Sequence, residues 1–194
     1  EKQKMWKHDC TRDETGTKKV IEKRVWAWTL EPQAALSILK HTLPFFNENR
    51  LTYEAFVEGT AYAPENYVNH PTKYGTPEHA VPYVQNTRIP VADFPAFIRE
   101  HAGKLDSFDM IIGEQSCFRE VKAFIAENVS NIYMTSSMER MLEISSKDAG
   151  KASGLRYVLD ELGLEPGHAI AFGDGDNDAD MLTFAGLGVA MANA

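Results

Sequence analysis

The chain has 194 residues, 43% of them apolar and 25% charged, with a formal net charge of −8 and a pI near 5.3. That length suits one sizeable core or two small ones, and the acidic balance argues against binding along a nucleic-acid backbone, which needs Lys and Arg to neutralise phosphates. Cys10 and Cys117 lie far apart without CxxC spacing, no apolar run approaches a bilayer span, and "EKQKMWKHDC" lacks a signal-peptide core. We therefore expect a cytoplasmic protein with no membrane partner and no nucleic-acid partner. The absence of an initiator Met and the stop at "VAMANA" suggest a piece of a longer chain.

In chain order, "KKVIEKRVWAWTL" (18–30) is β-branched and aromatic, and "CTRDETGT" before it carries turn chemistry, so a strand pair is expected. Leu36, Leu39 and Leu43 recur at helical spacing after Pro32, and "LTYEAFVEG" alternates as a half-buried strand. Residues 59–90 are dense in Pro, Gly, Asn and Tyr and read as a long functional loop. A helix near 93–102, a strand in "DMIIGE", a helix carrying Phe118, Val121 and Ile125, and strands in "SNIYMTS" and "RMLEIS" complete one α+β unit to about residue 144. Trp26, Trp28 and the phenylalanines fit core packing.

The last fifty residues alternate differently. "GKASGLRYVLDELGL" predicts an amphipathic helix on Leu155, Val158, Leu159 and Leu162, ended by Gly163, and "HAIAF" a short buried strand. A helix over 179–185 and a strand in "GLGVAMA" follow. The fold class is α/β, with 145–194 forming half of a doubly wound, Rossmann-like domain and 1–144 a separate α+β domain.

Between the strand and the next helix, "AFGDGDNDADML" sets Asp174, Asp176, Asp178 and Asp180 within seven positions. A calcium loop fails, because Ala179 stands where Gly is required and Ala185 where Glu is. A simple acidic helix cap is the plainer reading. At the carboxyl end of a parallel strand, where open α/β sheets bind ligands, the cluster better suits a hard cation such as Mg²⁺, which takes one or two carboxylates, waters and substrate phosphate. Phosphate chemistry also needs positive charge, and Lys151 opens the preceding helix, whose terminus attracts anions. "DAGKAS" is no P-loop, since Ser145 and Ala152 occupy the Gly and Ser/Thr positions. The six histidines show no HxxxH spacing for zinc, and no GxSxG is present.

"KASGLRYVLDELGL", "AIAFGDGDNDADML" and "AGLGVAMANA" together resemble the carboxyl-terminal half of the haloacid dehalogenase (HAD) superfamily, in its Cof-like sugar-phosphatase branch. The resemblance implies roles. Lys151, the motif lysine, would orient the phosphoryl group and neutralise the nucleophile; it is followed by Ala152 where the family usually has Gly. Gly173, Asp174, Asn177 and Asp178 fill the GDxxND motif, with Asp174 as catalytic Mg²⁺ ligand, Asn177 on phosphate or substrate, and Asp178 supporting the metal site. Asp176 and Asp180 are expected to be solvated. Residues 1–144 would be the cap that selects the leaving group, with Tyr67, Asn69, His70, Lys73 and Tyr74 as specificity candidates.

The same resemblance exposes a gap. Family members begin with DxDGT, whose first Asp attacks phosphorus, and no such segment is present. "DETGT" (13–17) is the nearest string, resembling the DxTGT of cation-pumping relatives, but no buried strand precedes it and a hairpin turn explains it. The expectation is an Mg²⁺-dependent phosphatase of small phosphorylated metabolites working through an aspartyl-phosphate, present as a fragment whose missing amino-terminal half-core lies upstream and which is inactive alone. The alternatives are a phosphomutase of the same superfamily and a non-catalytic binding module.

Overall fold

A computed structural model describes residues 4–12, 18–26, 28–136 and 140–192, with side chains from residue 28 onward. The expected strand pair is present: β1 (Lys4–Arg12) and β2 (Lys18–Trp26) pair antiparallel, Lys4 opposite Trp26 and Arg12 opposite Lys18. Strand β2 stops short of Trp28, which is half-buried. The "DETGT" candidate, Asp13 included, lies outside the described residues.

The centre of the molecule is a six-stranded sheet in the order β5-β4-β3-β6-β8-β7, built from β3 (Leu51–Val57), β4 (Thr60–Pro64), β5 (Ile89–Val91), β6 (Leu105–Ile112), β7 (Ile132–Thr135) and β8 (Met141–Ser146). All neighbours are antiparallel except β4 and β5. Strand residues alternate between two faces, and the sheet uses this fully. Tyr53, Ala55, Phe108, Met110, Leu142 and Ile144 join one buried core with Ile38 and Leu39 of α1 (Pro32–Asn47), Ile98 of α4 (Phe94–His101) and Val121 and Ile125 of α5 (Gln115–Asn128). Burying each such aliphatic side chain stabilises the fold by roughly 1.5–3 kcal/mol. The opposite face carries Glu54, Phe56, Ser107, Asp109, Glu143 and Ser145, and these line a cavity.

The buried stripe of α1 is Ala34, Ala35, Ile38, Leu39, Thr42 and Phe45, so the helix is turned relative to the expected Leu36-Leu39-Leu43 face. Thr42 is admitted to the core because its hydroxyl donates to the Ile38 carbonyl at 2.8 Å and meets the buried Tyr53 hydroxyl at 2.8 Å.

The long loop expected over 59–90 is instead structured. A tight turn at Glu58 and Gly59, both at positive φ (52° and 80°), returns the chain into β4. Then come α2 (Glu65–Asn69), short 3₁₀ turns and α3 (Val81–Thr87) before β5. Ala63, Tyr67, Val68, Tyr74 and Val84 close a second small core there. Each element is only one or two turns long, so no periodicity accumulates in the sequence to reveal it.

After β8, which continues to Ser146, the chain forms α6 (Lys151–Leu162), β9 (Ile170–Gly173), α7 (Ala179–Phe184) and β10 (Leu187–Ala190), with β9 and β10 parallel. Gly163 ends α6 in the left-handed region, φ 65°. This layer is incompletely covered. Leu159 is buried, but Val158, Leu162, Ile170, Phe172 and Leu187 are exposed, Phe172 at 61%. Phe172 therefore departs from the core role expected of the phenylalanines. No helix among the described residues is long and apolar enough to cross a membrane.

Candidate active site

Strand β9 ends at Gly173 and delivers the loop 174–178 to the carboxyl end of the parallel pair. The loop is organised by Asp178. Its Oδ2 accepts the backbone amides of Asp174 at 2.9 Å and Gly175 at 3.2 Å, while its Oδ1 accepts the Lys151 ammonium. Asp178 is buried and Lys151 is half exposed. The Lys151 ammonium, with help from the two amides, holds the Asp178 carboxyl below its usual range. Gly173 is required by this packing, since a Cβ there would run into the Asp178 side chain, 2.7 Å from Cγ.

Lys151 and Asn177 open on a cavity of about 700 Å³ whose other walls are the carboxylate-bearing face of the six-stranded sheet, Trp28, Tyr83 and Arg88. That volume suits a small organic ligand. Of the sequence-predicted site residues, Lys151, Asn177 and Asp178 come together, with Asp174 exposed on the same loop. The specificity candidates of the 59–90 segment do not: Tyr67 and Tyr74 are buried in the small core, and Asn69, His70 and Lys73 are exposed away from the cavity lining. The segment contributes Gly59, Tyr83 and Arg88 instead.

Asp180 was expected in solvent and is not there. It is half-buried, and its Oδ2 accepts the Ala152 amide at 3.1 Å in the first turn of α6. Helix α6 has Gly150 at its N-cap, without a capping side chain. Asp180 supplies the missing acceptor from another element, a contact that the local sequence does not encode. Asp176 is exposed, as expected.

Among the described residues no group of three or more His, Cys, Asp or Glu side chains could hold a metal ion by itself. Both Asp178 oxygens are engaged, Oδ1 by Lys151 and Oδ2 by the loop amides. Asp174, exposed on the same loop, is the carboxylate left to offer a direct ligand, and a single carboxylate fits Mg²⁺ in its usual carboxylate-poor, water-rich form.

Residues 22–194 match the haloacid dehalogenase-like hydrolases, and the chain belongs to that family. It is similar to a haloacid dehalogenase-like hydrolase of B. subtilis, with TM-score 0.64 and 20% identity over 95% of this chain and 67% of that one. It is also similar to a HAD subclass IIB sugar phosphatase, with TM-score 0.63 and 14% identity over 90% of this chain and 61% of the other. These two likenesses show a shared fold. A phosphoglycolate phosphatase of Methanopyrus kandleri is 51% identical over 51 residues, 26% of this chain and 22% of that protein. The chain thus spans well under two thirds of that curated relative.

Proposed function

We propose that this chain carries the phosphate-binding corner and the leaving-group pocket of an Mg²⁺-dependent phosphomonoesterase that acts on small phosphorylated metabolites such as sugar phosphates. The observation that carries the reading is the Lys151–Asp178 pair at the mouth of a cavity that Asn177 also lines. Lys151 would bind the phosphoryl oxygens, held in place by Asp178, and Asn177 would orient the ester through its amide. Asp174 would hold Mg²⁺, which when bound neutralises charge on the transferring phosphoryl group. Residues 1–144 would serve as the cap over this corner, and 145–194 as the second half of the α/β core.

A covalent aspartyl-phosphate requires a nucleophilic carboxylate facing Lys151. The uncovered apolar surface of Phe172, Ile170 and Leu187 supports further strands and helices in this layer, and these would bring that carboxylate. On this reading the 194-residue chain alone binds phosphate but does not turn over.

The test is hydrolysis of p-nitrophenyl phosphate, with and without Mg²⁺, by this chain alone and by the chain joined to the protein sequence upstream of it. The expected result is inactivity alone and Mg²⁺-dependent turnover when joined, lost in Asp174→Asn. Full turnover in the joined Asp174→Asn or Lys151→Ala protein would overturn the assignment.

A further inference from the structure

The cavity has a second end, and its chemistry is unlike the first. Sheet register sets Glu54 opposite Asp109 on neighbouring strands, and the β6–β8 pairing that aligns Ser107 with Ser145 brings Glu143 beside Asp109. Glu54, Asp109 and Glu143 thus form one row across β3, β6 and β8, on the face that looks towards Lys151.

The three carboxylates are not equivalent. Glu54 is bonded twice by Arg88, Nε to Oε1 at 3.0 Å and Nη2 to Oε2 at 2.7 Å. Asp109 accepts the Ser107 hydroxyl, and the Ile144 amide at 3.4 Å. Glu143 differs: its Oε2 is buried and has no hydrogen-bond partner. A buried acceptor without a donor is destabilising, and the half-buried Glu143 side chain that carries it lines a space large enough for a ligand. Arg88, the cation at this end, has Nε, Nη1 and Nη2 committed to Glu54 and Thr87. Three of its five N–H donors are thus taken, and its charge is offset by Glu54, which weakens its hold on a ligand anion.

We infer that Glu143 is a specificity-determining residue: the sheet end of the cavity accepts phosphate monoesters whose distal end donates a hydrogen bond, from a hydroxyl or an ammonium, and rejects those with a distal anion. The inference rests on the phosphatase reading for placing the phosphate at Lys151. It separates this chain from the phosphoglycolate chemistry in the name of the Methanopyrus relative, where phosphate and carboxylate share one small molecule.

Titration calorimetry of this chain with glucose 6-phosphate, glucosamine 6-phosphate, 6-phosphogluconate and inorganic phosphate tests it. The two sugar phosphates are expected to bind at least about tenfold more tightly than 6-phosphogluconate, since an unpaired like charge in a desolvated site is strongly disfavoured. Glu143→Gln should close that gap and leave inorganic phosphate unaffected, whereas Glu143→Asp, which keeps the charge, should preserve it. Equal or tighter binding of 6-phosphogluconate overturns the inference, as does a gap unchanged in Glu143→Gln or a failure of the sugar phosphates to outbind inorganic phosphate. The two readings fail separately. Selectivity that survives with every affinity unchanged in Lys151→Ala would remove the phosphate corner alone; binding that needs Lys151 but shows no selectivity would remove Glu143 alone.

Discussion

Asp180, on the first turn of α7, caps α6 by accepting the amide of Ala152 at 3.1 Å. The contact ties together the two helices that flank the 174–178 loop, and it works because Gly150 leaves room: a Cβ there would meet the Asp180 carboxylate. Asp180→Ala should lower unfolding free energy by about 1 kcal/mol, the usual effect of losing a helix cap. Urea denaturation measures this, and Gly150→Ala should destabilise by the same route. An Asp180→Ala protein as stable as the parent would show that the α6 terminus is satisfied by water.

Asp178 gives the fold an acid limit. Its carboxyl lies below the usual range because Lys151 and two amides favour the charged form. A depressed folded-state value means that the unfolded chain takes up the proton first as pH falls. The stabilisation is therefore complete above the ordinary carboxylate range and is lost as pH drops through the lowered value. Asp178→Asn should flatten the acid limb of a stability-against-pH curve and weaken inorganic phosphate binding at neutral pH.

Asp109 behaves in the opposite sense. Burial pushes its carboxyl up to about 8, with Glu143 and Glu54 adding to the shift and the Ser107 hydroxyl opposing it. The folded state now holds the proton that the unfolded chain releases near its ordinary value of 3.8. Stability should therefore decline as pH rises from about 4 through 8. Asp109→Asn should abolish this decline and melt higher than the parent above pH 8, read by thermal unfolding across a pH series.

The Glu54–Arg88 pair is nearly enclosed, with side-chain exposures of 2% and 9%. Removing one member leaves a buried charge without its partner, so Glu54→Ala should cost roughly 3–5 kcal/mol. The double variant Glu54→Leu with Arg88→Met should cost much less than the sum, and chemical denaturation of the cycle reads the difference. Additivity would show that the two charges are solvated independently.

Where the sequence was legible, the signal was long or chemically dense. Helices α1 and α5 and strands β3 and β6 carry enough apolar repeats to declare themselves, and Lys151, Asn177 and Asp178 of the quoted motifs lie together. Short elements were not legible, since α2 and α3 complete too few turns to show a stripe. Tertiary partnerships were also hidden. Nothing local distinguishes Asp180, which caps another helix, from exposed Asp176, and the carboxylate row appears only once three strands are set in register.

The Lys151–Asp178 pair and the carboxylate row belong to different layers, joined directly by residues 147–150 between β8 and α6. A change at Glu143 or Asp109 alters the sheet end of the cavity without touching the loop that fixes Lys151, and a change at Gly173 does the reverse. On the proposed reading the chain is a two-part tool with an exchangeable jaw: new ligands could be tried on one side by point substitution while the Lys151 side keeps its setting.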